Sequence, residues 1–187
     1  EDTAAAARSG DVAVLATPRV VAYDLFPADS PLRALYEWDP LLRFVEAVLD
    51  RGALHRYADE CGALNLAVMG EGDQLQWHFD MTDFVVSLAL RDAEEGGDFE
   101  VAPRLRSAED ERYDAVGAVL AGGGGAVPVE TLDMTPGTLL LFEGRHSLHR
   151  VTEVRGPTAR WVALLSYDTR PGTRGSDRLR RVRYGRD

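Results

Sequence analysis

Lysine is absent from this 187-residue chain, cysteine occurs once, and no apolar run approaches membrane-spanning length. Each shortage excludes something. A lone Cys61 cannot close an internal disulfide, and a cytosolic setting is the simple expectation. No motif supports a catalytic role for Cys61, which reads as a small buried side chain. Glu1-Asp2-Thr3 and the four alanines after them lack the basic start and apolar stretch of a secretory signal. An initiating Met is also missing, so a longer native chain is expected. With no lysine, every cation is Arg, a usage expected of a high-GC bacterial genome.

The formal net charge of −10 argues against a nucleic-acid-binding surface. That charge is uneven: residues 170–187 hold seven of the 21 basic residues and two acids. This basic tail reads as a solvated segment, or else as a flap over an anionic substrate or cosubstrate.

The length and the 45% apolar content suit one globular domain spanning 1–187. Residues 1–62 read as N-terminal strands (Val12 to Leu15, Val20 to Tyr23) followed by helix. Asp39-Pro40 opens a helical stretch in which Leu41, Leu42, Val45, Val48 and Leu49 recur at helical spacing. Residues 63–169 switch to strand patterning, at 63–69, 74–79, 84–90, 99–102, 127–132, 138–142, 148–151 and 159–167, with polar turns between. A helical insertion is expected over 107–121, with Ser107 and Asp110 as a capping box and Tyr113, Val116 and Leu120 on one face; glycines 122–125 end it. Eight short strands with such turns predict a mainly β fold, a double-stranded β-helix or cupin-like jelly roll with flanking helices.

Histidine is scarce: there are four, and three lie in two short segments. His78 and Asp80 in Gln76-Trp77-His78-Phe79-Asp80 are two apart, so on an extended strand they point the same way. His149 lies in a distant strand that a jelly roll can bring alongside. Two imidazoles and one carboxylate form the face used by non-haem Fe(II) oxygenases, which leaves three coordination positions open. His146 competes with His149, but it follows Gly144-Arg145 in a turn, whereas His149 sits within the strand and is better spaced from Arg160. His55 has no such context.

Arg160 opens an otherwise apolar strand, Trp161 to Leu165. The planar fork of an Arg matches a carboxylate with two parallel hydrogen bonds. In the non-haem Fe(II) oxygenases that this metal face resembles, an Arg so placed clamps the distal carboxylate of 2-oxoglutarate. Candidates for substrate contact are Asn65, a polar residue in an apolar strand; Glu100 and Arg104, after the Gly96-Gly97 turn; Ser166, on the face of Arg160; and Tyr184, which could cover the site from the tail.

These residues resemble the Fe(II)/2-oxoglutarate-dependent dioxygenase superfamily. Gly72 to Asp80, Gly96-Gly97-Asp98-Phe99-Glu100, Pro136-Gly137-Thr138-Leu139, Gly144 to Val151, Leu165-Ser166-Tyr167-Asp168 and Tyr184-Gly185-Arg186 narrow the resemblance to the branch of bacterial free-amino-acid hydroxylases and lysine radical halogenases. It runs from about residue 62 to the C-terminus. Two positions depart from that pattern: Val162 stands where many members carry Ser, and Leu164 takes a pocket-facing strand position. The resemblance implies Fe(II), 2-oxoglutarate and O2, and a small amino-acid-like substrate as partner. Halogenases of that branch carry Gly where this chain has Asp80, so hydroxylation of an unactivated C–H is implied, with succinate and CO2 as co-products. Desaturation, cyclisation or C–C cleavage in natural-product biosynthesis is the alternative for the same metal site. A non-catalytic cupin-like binding protein is the second alternative, against which the intact ligand set argues.

Overall fold

The computed structural model describes residues 18–122 and 127–186. The strand expected at 12–15 and Gly123 to Gly125 lie outside them. Thirteen strands follow in chain order: β1 (Arg19–Val21), β2 (His55–Arg56), β3 (Leu64–Met69), β4 (Leu75–His78), β5 (Val85–Arg91), β6 (Glu95–Gly96), β7 (Phe99–Ala102), β8 (Glu130–Leu132), β9 (Leu139–Phe142), β10 (Leu148–Val151), β11 (Val154–Arg155), β12 (Arg160–Leu165) and β13 (Tyr167–Asp168). Four α-helices accompany them: α1 (Pro31–Glu37), α2 (Asp39–Leu49), α3 (Tyr113–Leu120) and α4 (Asp177–Tyr184).

The eight strands expected from the sequence divide evenly between two antiparallel sheets. The larger sheet runs β1-β3-β12-β5-β9 and the smaller β4-β10-β7-β8. Except for β7 and β8, which pair within the smaller sheet, consecutive strands of the jelly roll thus pass from one sheet to the other, the double-stranded β-helix arrangement. It places β4 and β10, distant in sequence, side by side.

Three apolar layers follow from strand alternation. Outside the larger sheet, Tyr36 of α1 and Val45 of α2 pack on Leu64, Val86, Ala163 and Leu165. Between the sheets lie Met69, Ala89, Phe99, Val101 and Val151. Outside the smaller sheet, Val116 and Val119 of α3 cover Trp77, Phe79, Ala102 and Leu148. Pro40 sits in the first turn of α2, where its missing N–H is no loss. Leu41, Leu42, Val45 and Leu49 of α2 face the sheet, but Val48 is exposed.

The insertion is shorter than its pattern suggests. The Ser107 hydroxyl accepts from the amides of Glu109 and Asp110, making a local turn that competes with helix. Arg112 then takes a left-handed conformation (φ 52), and the helix begins only at Tyr113. Tyr113 and Leu120 are exposed, so the packed face is built on Val116 and Val119 instead.

The basic tail also departs from its solvated reading. Ser176 caps α4 by accepting from the Leu179 amide, and Gly185 ends the helix in the left-handed region. Gly175 N–H donates to Asp59 at 2.7 Å, Arg180 lies 3.8 Å from the same carboxylate, and Arg186 pairs with Asp24. The tail is therefore a helix docked on the start of the barrel. Among the described residues no helix is long and apolar enough to cross a membrane.

Candidate metal centre and cosubstrate cavity

His78 and His149 are direct cross-strand partners in the β4–β10 ladder. Their rings lie 4.2 Å apart, and Asp80 follows just beyond the end of β4. One ligand atom from each of His78, Asp80 and His149 falls within 4.8 Å of the others. Asp80 Oδ2 is 3.2 Å from His149 Nε2, and Asp80 Oδ1 is 3.8 Å from His78 Nε2. His146 lies in the turn before β10 and is not part of this group, and His55 is paired in register with Asp168 on the small β2–β13 ribbon.

The β4–β10 ladder contains an irregularity that simple alternation does not foresee. His78 opposes His149, but Leu75 opposes Val151, so three steps on β4 match two on β10. The extra residue is a β-bulge at Gln76–Trp77. It lets Leu75 and His78 both face the interior, while Trp77 and Phe79 pack outward under α3.

Each imidazole is oriented by its own backbone. His78 Nδ1 donates to the Gln76 carbonyl at 2.7 Å, and His149 Nδ1 donates to the Ser147 carbonyl at 2.9 Å. Nε2 of each ring is thereby aimed at the Asp80 side, where the neutral ring offers a lone pair to a metal and the protonated ring a hydrogen bond to the carboxylate. Burial, reinforced by the neighbouring His149, lowers the His78 pKa and favours the neutral ring that a metal requires. Burial pushes Asp80 up, but the hydrogen bond and charge of His149, with the charges of His78 and Arg183, outweigh it and hold the carboxyl below its ordinary range. His149 is 4% exposed and wedged against the rings of Phe99 (5.6 Å) and Phe142 (4.9 Å).

Gly144 completes this corner. A Cβ there would lie 2.5 Å from Asp80 Oδ2 and 2.8 Å from Val85 Cγ2. Only glycine lets the chain come this close to the carboxylate.

Arg160 faces the interior between the sheets and is 7% exposed. Its guanidinium touches Met69 Sδ at 3.9 Å, and among the described residues no carboxylate lies within ion-pair distance. Burial lowers its pKa, opposed by the more distant charges of Asp92 and Asp98. A cavity of about 390 Å³ opens on this guanidinium, lined by Gly97, Phe99, Thr131 and Met134 and by the acidic residues Asp92, Glu94, Glu95, Asp98 and Asp133, none of them within ion-pair distance of it. Phe99 is thus shared between the cavity wall and the packing of His149. A buried cation with no carboxylate paired directly to it is costly unless a ligand supplies one.

The substrate candidates separate. Asn65 is buried on the inward face of β3, donating to the Cys61 and Leu64 carbonyls, and its Oδ1 accepts from Tyr184 Oη at 2.7 Å. The two are brought together at the start of the barrel. Ser166 is half-buried at the end of β12, its carbonyl taken by Tyr36 Oη. Glu100 and Arg104 are not brought to the metal face. Glu100 points out of the smaller sheet and pairs with Arg150 at 2.6 Å, opposite in strand parity to Phe99 and Val101. Arg104 is exposed on a turn and pairs with Glu143 at 2.8 Å. Strand alternation after the Gly96-Gly97 turn could have placed Glu100 correctly. Gly144, Phe99 and Phe142 were missed, the aromatics because apolar residues in apolar strands look like ordinary core.

Several solved structures share the fold. AviO1 from Streptomyces viridochromogenes Tue57 superposes with a TM-score of 0.61 at 15% identity, covering 83% of this chain and 68% of that one. An oxidoreductase of the 2OG-Fe(II) oxygenase family from Burkholderia pseudomallei gives 0.53 at 19%, covering 74% and 56%. A prolyl 4-hydroxylase structure from Phytophthora capsici gives 0.50 at 18%, covering 76% and 44%. The chain therefore spans only about half the length of the latter two. No curated protein sequence matches it. The Halogenase D (HalD) family model does match, over residues 17–176, and with most of its length inside that match the chain belongs to the Halogenase D family.

Proposed function

We propose that this protein is an Fe(II)- and 2-oxoglutarate-dependent oxygenase. The observation that carries the reading is the pairing of two features inside one barrel. Three ligand atoms of His78, Asp80 and His149 converge within 4.8 Å, and a buried Arg160 with no directly paired carboxylate among the described residues faces a cavity. The donor set fits iron: two neutral imidazoles and a carboxylate, with no thiolate, suit Fe(II) and leave positions for a bidentate cosubstrate and oxygen.

In this reading His78 Nε2, His149 Nε2 and the Asp80 carboxylate hold the metal. Arg160 grips the distal carboxylate of 2-oxoglutarate through parallel hydrogen bonds. Phe99 and Phe142 keep the His149 ring fixed and the inner side of the centre dry. When bound, iron supplies the activation of dioxygen that couples decarboxylation of 2-oxoglutarate to oxidation of a C–H bond. One oxygen atom enters succinate, CO2 leaves, and in hydroxylation the other oxygen enters the substrate.

The substrate is a free amino acid or an amino-acid-derived small metabolite. The support is the resemblance of the motifs and a mouth bordered by the Asn65–Tyr184 pair. The family name makes halogenation the rival reading. Asp80 argues against it, because its carboxylate occupies the side of the metal face that a halide would need. Desaturation remains distinguished from hydroxylation by product mass: minus two hydrogens against plus one oxygen.

The test is turnover of free amino acids and related metabolites in saturating chloride, read by succinate release and product mass. An oxygenated, chlorine-free product is expected. A chlorinated product, identified by its isotope pattern, would contradict the assignment of Asp80.

A further inference from the structure

Six polar side chains are buried among the described residues: Asp59, Asn65, Ser87, Ser147, His149 and Arg160. Four of them have polar partners within the protein. Asp59 accepts from backbone amides, Asn65 and His149 bond to carbonyls, and the Ser147 hydroxyl accepts from the Arg104 amide at 3.2 Å. Arg160 meets only the Met69 sulfur, and the Ser87 hydroxyl makes no hydrogen bond to any described residue. Ser87 is 5% exposed, yet its oxygen is not sealed off: the fully enclosed side-chain atoms without a partner belong to Arg56, Trp161, Tyr167 and Arg180. The hydroxyl therefore opens on accessible space inside the barrel. Like the Arg160 guanidinium, it is costly to bury there unless a group from outside the chain completes it.

Strand parity places Ser87 between the two functional ends of the interior. Val86 and Leu88 pack outward beneath the helices, so Val85, Ser87 and Ala89 of β5 face inward. Val85 borders the metal corner: its Cγ2 and Asp80 Oδ2 both crowd the Cβ position of Gly144, at 2.8 and 2.5 Å. Ala89 packs in the inner layer with Met69, which touches the Arg160 guanidinium, and it pairs with Val162, one inward step along β12 from Arg160. Ser87 thus lies one inward step, about 7 Å, from Val85 at the metal corner and the same from Ala89 in the clamp layer. In register it stands between Leu164 of β12 and Leu140 of β9, so a small polar residue floors a slot between two leucines. A molecule that chelates a metal held by Asp80 and also reaches Arg160 must cross this floor. The other inward residues of β3, β12 and β5 near it are apolar or, like Asn65, already engaged.

We propose that Ser87 is a positioning residue for the cosubstrate, its hydroxyl donating a hydrogen bond to the 2-oxo acid end of 2-oxoglutarate while Arg160 holds the distal end. This rests on the oxygenase reading above and deepens it: the two buried polar groups that the protein leaves incomplete are completed by the two ends of one ligand.

The test uses the full chain with Fe(II), without oxygen, and 2-oxoglutarate as the titrant. Calorimetry gives the affinity, the chelate absorption gives the band energy, and thermal melting without metal or cosubstrate gives the stability. Ser87→Ala should weaken 2-oxoglutarate at least tenfold, as loss of a hydrogen bond to a charged group does. Its chelate band should move to higher energy, because the lost hydrogen bond no longer draws electron density from the chelating group. Its Tm should match or exceed that of the wild type, since the hydroxyl removed has no partner in the empty protein. Ser87→Thr keeps the hydroxyl and should recover most of the affinity and the band position. The proposal is overturned if Ser87→Ala keeps wild-type affinity or an unshifted band, which would leave the hydroxyl to the substrate or to water. It is also overturned if Ser87→Ala melts below the wild type, the mark of a structural hydroxyl, or if Ser87→Thr binds as weakly as Ser87→Ala. A wild-type protein that forms no chelate would overturn the oxygenase reading, and this proposal with it.

Discussion

The backbone of Gly144 is packed against the carboxylate of Asp80. The Asp80 amide donates to the Gly144 carbonyl at 3.1 Å, and a Cβ on Gly144 would lie 2.5 Å from Asp80 Oδ2. The Val85 methyl on the other side is held in β5, so the Asp80 carboxylate, partly exposed, is the group that must yield. Gly144→Ala should therefore turn the carboxylate away from the two imidazoles. Displacing a ligand's supporting contact typically weakens metal binding by about 10–100-fold. The same change in an Asp80→Gly background should add little, because the group it displaces is gone. Metal titration of the four proteins tests this; equal penalties in both backgrounds would show that Gly144 acts through the fold alone.

Arg160 should dominate affinity for 2-oxoglutarate. Removing one partner of a buried charge-assisted pair costs about 2–5 kcal/mol, so Arg160→Gln should raise the cosubstrate dissociation constant steeply while leaving metal binding largely intact. Arg160→Lys should rescue poorly, since an ammonium lacks the planar fork. Gly97→Ala should act in the same direction. Its φ of +70 disfavours a side chain, and a Cβ would lie 3.0 Å from Arg160 Cδ. Calorimetric titration with 2-oxoglutarate checks all three.

The fold and the centre of the site were legible because they rest on period-two patterning and rare residues. Eight alternating strands give the two sheets, and a His-x-Asp pair in a chain with four histidines stands out. Arg160 was legible as a lone cation opening an apolar strand. Other features depend on contacts that no local pattern encodes. The bulge at Gln76–Trp77 arises from register against β10. Glu100 was misplaced because proximity to a glycine turn says nothing about which face a strand residue takes; Arg150 beside it in register shows that the face is outward. The tail has few apolar residues, so its helix is stabilised mainly by Asp59, Asn65 and Asp24, all more than a hundred residues away.

Asp59 makes the docking of α4 sensitive to acid. It is 5% exposed, and it accepts from the amides of Cys61, Gly62 and Gly175. Burial pushes its pKa up, but those three amides and the charge of Arg180 outweigh it and hold the carboxyl below its ordinary value. A depressed carboxyl stabilises the fold fully above its unfolded pKa, about 3.9, and loses that contribution as pH falls through the folded value. α4 should therefore stay docked at neutral pH and loosen below about pH 4. Asp59→Ala should release it at neutral pH, since each buried amide left without an acceptor costs roughly 1–3 kcal/mol. Hydrogen exchange of the α4 amides measures both effects; unchanged protection in Asp59→Ala would refute this anchoring.

The central claim is that His78, Asp80 and His149 hold iron while Arg160 holds 2-oxoglutarate beside it. Its most direct test is anaerobic addition of Fe(II) and 2-oxoglutarate, followed by the charge-transfer absorption of the chelate. The wild-type protein should develop the band, His146→Ala should retain it, and His149→Ala should lose it. Arg160→Gln should show it only at much higher 2-oxoglutarate. A wild-type protein without the band, or a band abolished by His146→Ala and kept by His149→Ala, would contradict the account.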